Sequence, residues 1–233
     1  MDMKSPVKKK VKVQCAKCSV ELRERACMKP DGATSPGCPT ASYSKLLANA
    51  KKEYLNPDNY EFARQASIQE SECYADRDKR PYVMHPVKPR ILEIAEFAKK
   101  MGYKRLGLIF CAGLAREAVA ISDYFEKKGF EVISVICKAG CVPKEDIGLS
   151  DLEKVFRGNY ESMCNPIFQA MVANKENVDF NILVGLCVGH DSLFFKYAKA
   201  PTTVLAVKDR VTGHNPLAAL YLLEGYYAWI KQE

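Results

Sequence analysis

The chain has 233 residues, 48% hydrophobic and 27% charged, a balance that excludes a disordered or fibrous protein and suits one α/β domain with a smaller attached unit. No apolar run is long enough to cross a bilayer, and the lysine-rich opening lacks the apolar stretch of a signal peptide or anchor, so the expected location is the cytosol. The net charge of +7 is concentrated in that opening, where five lysines stand against Asp2; it reads as a flexible basic tail, 1–14, and gives little support to a nucleic-acid surface.

Residues 15–40 carry Cys15, Cys18, Cys27 and Cys38 among Pro30, Gly32, Pro36, Gly37 and Pro39, with no sustained periodicity and little apolar surface to bury. A four-cysteine metal module is expected there. From 41 to 84 the pattern turns helical: Leu46, Leu47 and Ala50 share one stripe, Phe62, Ala66 and Gln69 another, and Asn56-Pro57-Asp58 breaks between them. Two helices packed on the main domain are expected from this segment.

From 85 to 233 helical and apolar runs alternate. Helices are predicted at 91–100, 116–128, 166–174, 193–199 and from Pro216, and strands at 106–110, 132–136, 180–185 and 203–207, with a long excursion at 142–161. Short, continuous apolar strands separated by helices predict a parallel sheet covered on both faces. The predicted class is therefore α/β, with about four strands in the order 2-1-3-4 of a shortened flavodoxin-like or Rossmann-like sheet, guided by right-handed crossovers.

The cytosolic setting disfavours a disulfide framework for the ten cysteines and favours metal binding or thiol chemistry. The spacing C-x2-C-x8-C-x10-C suits tetrahedral thiolate coordination of zinc by Cys15, Cys18, Cys27 and Cys38. Gly37-Cys38-Pro39 also fits iron–sulfur ligand runs in which proline follows a ligating cysteine. Cys73 reads as a small buried hydrophobe, and His85, before Pro86, as a turn residue.

A positional pattern is more informative. Cys111, Cys137 and Cys187 each close a predicted strand, so their thiols should converge on the carboxyl edge of the sheet, where open α/β folds bind ligands. Cys111 and Cys187 should lie on neighbouring strands ~5 Å apart. Cys164-Asn165-Pro166, His190-Asp191-Ser192 and His214-Asn215-Pro216 each place a potential ligand one residue before a helix-capping Asn or Asp. Helix dipoles there should lower the Cys164 pKa. Cys111, Cys137, Cys164 and Cys187 form a candidate four-thiolate shell, with His190 and His214 as alternative or supporting ligands. Cys141 could replace Cys137. The plain alternative is that each cysteine fills the core and each histidine is a neutral helix-start residue.

Neither a Walker A loop nor G-x-G-x-x-G occurs, and Phe110-Cys111-Ala112-Gly113-Leu114 has too few glycines for close pyrophosphate approach, so nucleotide binding is not expected to be primary. There is no H-E-x-x-H and no serine-centred nucleophile elbow. With the N-terminal C-x2-C, Cys137-Lys138-Ala139-Gly140, Gly185-Leu186-Cys187-Val188-Gly189-His190-Asp191 and Lys208-Asp209-Arg210-Val211-Thr212-Gly213-His214-Asn215-Pro216, the chain resembles an uncharacterised family of bacterial and archaeal proteins known as predicted metal-binding proteins. The resemblance spans essentially the whole chain. It implies metal binding and supplies no reaction.

Three functions compete. The first is a redox or sulfur-handling protein with an iron–sulfur cluster in the crevice, acting on an unknown small molecule or redox partner. The second is a structural or sensor protein holding zinc at both places. The third is a cysteine-nucleophile enzyme, with Cys164 or Cys187 attacking, His190 or His214 as base, and Asp191 or Asp209 orienting it.

Overall fold

A computed structural model describes residues 12–232; residues 1–11 of the expected basic tail lie outside it. The chain divides into two compact units, 1–64 and 65–233, with the boundary inside α3, Pro57–Glu72.

In the first unit, short turns at Cys15–Lys17 and Leu22–Glu24 precede α1, Pro39–Ser42, and α2, Ser44–Glu53. Pro39 opens α1 at its first position, where the missing N–H costs nothing. Arg25 ties the loop together, donating from Nε to the Val20 carbonyl at 2.9 Å, and bridging to Ala33 through the backbone. None of residues 12–64 is buried, so the described part of this unit has no hydrophobic core.

The second unit is built on a four-stranded parallel sheet of order β2-β1-β3-β4. Its strands are β1, Arg105–Phe110, β2, Glu131–Ile136, β3, Phe180–Val184, and β4, Thr202–Ala206. Class and strand order match the sequence expectation. The intervening helices are α4, Arg90–Lys100, α5, Ala115–Lys127, α6, Pro166–Lys175, and α7, His190–Tyr197. The central strand β3 is buried along its whole length, which is why it reads as Phe-Asn-Ile-Leu-Val rather than as an alternating pattern. Ile109, Val135 and Leu183 pack with Ala170 and Ala173 of α6 and Phe194 of α7 on one face of the sheet. Phe180 stacks against Tyr103 at 5.5 Å and meets Phe97 at 5.7 Å.

Two local readings are corrected, and the excursion gains its physical basis. The helix predicted at 193–199 begins at His190, with Gly189 as its cap; Asp191 lies inside the first turn and accepts from the Gly189 and Ser192 N–H groups. The last helix is a single short stretch, α8, Leu217–Tyr221, capped by Pro216 rather than Asn215, because His214 at φ 67° turns the chain before it. The excursion is ordered by ion pairs: Lys144 to Glu161 at 2.6 Å, and Lys154 to Glu145 and Asp151 at 2.8 and 2.9 Å. Among the described residues no helix is long and apolar enough to cross a membrane.

Gly185 ends β3 at φ +66°, and a Cβ there would meet Leu114 Cδ1 at 2.3 Å. Gly102, at φ +71°, faces open space. Gly185→Ala should therefore cost about 2–3 kcal/mol, the sum of backbone strain and a clash, whereas Gly102→Ala costs about 1 kcal/mol. Urea unfolding of the two variants checks the ranking; equal losses would contradict it.

Candidate metal centre

Parallel pairing decides which side chains meet. β1 and β2 run in register, Ile109 beside Val135 and Phe110 beside Ile136, and the ladder continues when Cys137 N–H donates to the Phe110 carbonyl at 2.9 Å. Cys111 and Cys137 therefore emerge side by side. By the strand period of two they share the face of Ile109 and Val135, which is the face that α6 covers.

Two contacts then fix α6. Gln169, fully buried, donates from Nε2 to the Val135 carbonyl at 2.7 Å and to the Phe110 carbonyl at 3.3 Å. At the helix start, Asn165 caps the Phe168 N–H at 3.1 Å, and its own N–H donates to the Cys137 carbonyl at 2.7 Å. Cys164 is thereby held against Cys137, with sulfurs 3.9 Å apart.

The result is a row of three sulfurs with Cys137 in the middle. Cys137 is 2% exposed and belongs to the hydrophobic cluster, while Cys111 and Cys164 are half-buried beside it. The core-filling alternative thus describes part of what Cys137 does. Its hydrogen bonds to Cys111 and then Cys164, reinforced by burial, push the Cys137 thiol well above the usual range, so it keeps its proton. The hydrogen bond with Cys137 lowers Cys111 to about 5, against burial and with help from the Gly113 N–H and Lys208. The hydrogen bond with Cys137, followed by that with His190, lowers Cys164 to about 4. The Ala112 N–H also points at Cys137 Sγ, at 3.3 Å. His190 is pushed upward chiefly by its hydrogen bond to Cys164, against burial, and its buried Nδ1 has no hydrogen-bond partner.

The other expected ligands are placed differently. Cys111 pairs across the sheet with the level of Gly185, since Phe110 stands beside Val184; Cys187 comes two residues later, beyond the turn, and its sulfur accepts from Arg210 Nη2 at 3.1 Å. The expectation that Cys111 and Cys187 flank one another is corrected accordingly: the sulfur beside Cys111 is that of Cys137. His214 Nδ1 accepts from the Asp209 N–H at 3.2 Å, and Asp209 itself accepts from the Val211 and Thr212 N–H groups. Cys141 is exposed and lies 3.3 Å from the Tyr160 hydroxyl. Cys73 is buried, and burial raises its pKa; His85 is exposed, 3.3 Å from Asp76.

In the first unit Cys15, Cys18, Cys27 and Cys38 all line one cavity of about 90 Å³, together with Ser35 and Arg25. The Ser35 hydroxyl donates to Cys18 Sγ at 3.3 Å, and that bond leads the lowering of the Cys18 pKa. Among the described residues no three His, Cys, Asp or Glu side chains stand as a ready-made ligand group for one ion, so metal binding at either place requires side-chain rotation. At Cys137 and Cys164 the required movement is small, because two metal–sulfur bonds of ~2.3 Å at a tetrahedral angle put their sulfurs ~3.8 Å apart.

Sequence reasoning missed Gln169, Lys208, Arg210 and Lys138, whose charge helps to lower Cys164. Gln169 was visible as the one amide within Pro-Ile-Phe-Gln-Ala-Met. Lys208 reaches across two glycines to Cys111, its Nζ 3.6 Å from the place of a Gly113 Cβ and its Cε 3.6 Å from that of a Gly185 Cβ, and nothing in the local pattern announces such a reach.

Fold and site together define a parallel α/β protein with a row of thiols at the carboxyl edge of its sheet. The chain belongs to the family described as protein of unknown function (DUF1847), whose model matches residues 38–205. It is 38% identical to an uncharacterized protein of Methanocaldococcus jannaschii, covering 91% of this chain and 100% of that one. Among solved structures it is similar to Dph2 from Pyrococcus horikoshii, also solved with a 4Fe-4S cluster, at 19% identity and a TM-score of 0.34. That likeness covers 63% of this chain and spans 33% of the Dph2 chain.

The thiol row predicts a labelling order. At about pH 6, where ordinary thiols are almost fully protonated, iodoacetamide should label Cys164 and Cys111 well before Cys73. Cys137→Ala removes the hydrogen-bond partner, and once the Cys164 pKa rises past that pH its labelling should fall about tenfold for each further unit. Peptide mass spectrometry reads the order, and unchanged labelling in the variant would contradict it.

Proposed function

We propose that the protein is a metal-binding protein whose crevice holds an iron–sulfur cluster through Cys111, Cys137 and Cys164, in a redox or sulfur-handling role. The observation that carries this reading is the row of three sulfurs delivered by β1, β2 and α6. The donor chemistry fits a thiophilic centre: the surroundings of Cys111 and Cys164 favour their thiolate forms, and His190 offers a buried ring nitrogen without a partner. Backbone N–H groups aimed at sulfur, such as that of Ala112, are the kind of contact that tunes cluster potentials. A three-thiol set leaves one metal position open to substrate or to a further ligand, whereas a structural zinc site closes its shell with four. Cys187 and His190 are the candidates for that fourth position.

For the first unit we propose a structural zinc held by Cys15, Cys18, Cys27 and Cys38. Residues 12–64 have no buried side chain, and a segment that cannot bury a core draws its folding free energy from metal binding.

A second reading is supported by the Cys164–His190 pair, whose hydrogen bond lowers the thiol and raises the imidazole. This is the polarisation of a cysteine nucleophile beside its base.

Anaerobic purification followed by iron, sulfide and zinc analysis tests the proposal. Iron and sulfide are expected in the full chain, and Cys137→Ala or Cys164→Ala should lower iron by at least about tenfold while leaving zinc in place. Cys15→Ala should do the converse. Colourless protein that takes up zinc alone at both places would remove the cluster and leave the zinc-binding alternative.

A further inference from the structure

We propose that the crevice, when free of metal, is a thiol–disulfide exchange site acting on small-molecule disulfides, with Cys137 and Cys164 as its redox pair. This inference stands on the placement of two sulfurs and does not require the cluster.

The pair is close at both side chain and backbone. The sulfurs are 3.9 Å apart. Beside them the Asn165 N–H donates to the Cys137 carbonyl at 2.7 Å, which keeps the two backbone segments adjacent. Formation of the bond requires the sulfurs to close to ~2.05 Å, a matter of rotation about two Cα–Cβ bonds.

Exposure assigns the roles. Cys164 is half-buried and follows the open excursion, whereas Cys137 is 2% exposed. An incoming disulfide RSSR can therefore be reached by Cys164 and not by Cys137. The Cys164 thiolate attacks one sulfur of RSSR, forming a mixed disulfide and expelling RS⁻. The RS⁻ released in the first step takes the Cys137 proton, and the Cys137 thiolate then attacks the Cys164 sulfur, forming the Cys137–Cys164 bond and expelling the second RS⁻. Two electrons pass from the protein sulfurs to the small disulfide, and the products are one protein disulfide, one RS⁻ and one RSH. The internal step is intramolecular, and the sulfur it needs already stands 3.9 Å away. Cys111, on the other side of Cys137, is the competing partner that the experiment must separate.

The test uses the full chain stripped of metal under reducing conditions, mixed with oxidised glutathione, quenched in acid, alkylated and mapped by peptide mass spectrometry. The expected product is a peptide pair linked through Cys137 and Cys164, with two glutathione thiols released for each link. Cys137→Ser should stop the reaction at a mixed disulfide on Cys164. Cys164→Ser, which spares the buried position and so preserves the fold, should abolish the linked peptide. A mixed disulfide that persists on Cys164 in the unmodified chain, linkage of Cys137 to Cys111 instead, or no modification of the crevice would each overturn the proposal. Because the protein is metal-free throughout, the outcome is independent of whether the cluster forms.

Discussion

The Phe110 carbonyl is the knot of the crevice. It accepts the Cys137 N–H, which extends the β1–β2 ladder by one rung, and the buried Gln169 side-chain amide, which draws α6 onto the same strand ends. Three segments that are far apart in sequence therefore deliver Cys111, Cys137 and Cys164 to one place. A buried amide is costly unless it is bonded, so the Gln169 Nε2 contacts hold the helix in a single position.

The electrostatics follow from that placement. A thiol between two others cannot ionise together with both neighbours, because like charges at contact distance repel strongly in a half-buried site. The hydrogen bonds to Cys111 and Cys164, together with burial, favour the proton on Cys137, and the surroundings of the outer thiols favour their negative charge, with Lys208 beside Cys111 and His190 beside Cys164. An arrangement of this kind is reactive whichever partner it meets: a metal displaces the remaining proton, and an oxidant removes two electrons. Metal loading and disulfide formation draw on the same sulfurs and exclude one another.

The fold was legible because its two central strands, β1 and β3, are buried and α4 and α5 are amphipathic. Continuous runs such as Leu-Ile-Phe and Asn-Ile-Leu-Val left one class of architecture open, and the strand order followed from right-handed crossovers. The carboxyl-edge position of Cys111, Cys137 and Cys164 was legible for the same reason. What the sequence hid was register. Whether Cys187 stands level with Cys111 depends on a two-residue offset past Gly185, which no periodicity reports, and the Lys208 reach depends on the absence of two Cβ atoms. The capping expectations held at Asn165, where Pro166 fixes the helix start, and failed at Asp191 and Asn215, where Gly189 and the left-handed His214 turn the chain first.

The central claim is that the sulfurs of this one rim grip a common metal centre. Iron-edge X-ray absorption on the full chain carrying Cys15→Ser, Cys18→Ser, Cys27→Ser and Cys38→Ser, loaded with iron and sulfide without oxygen, addresses it most directly. A sulfur shell at ~2.3 Å around iron, lost when Cys137→Ala is added, is the predicted result; iron surrounded only by oxygen or nitrogen, or a spectrum indifferent to Cys137, would contradict the account.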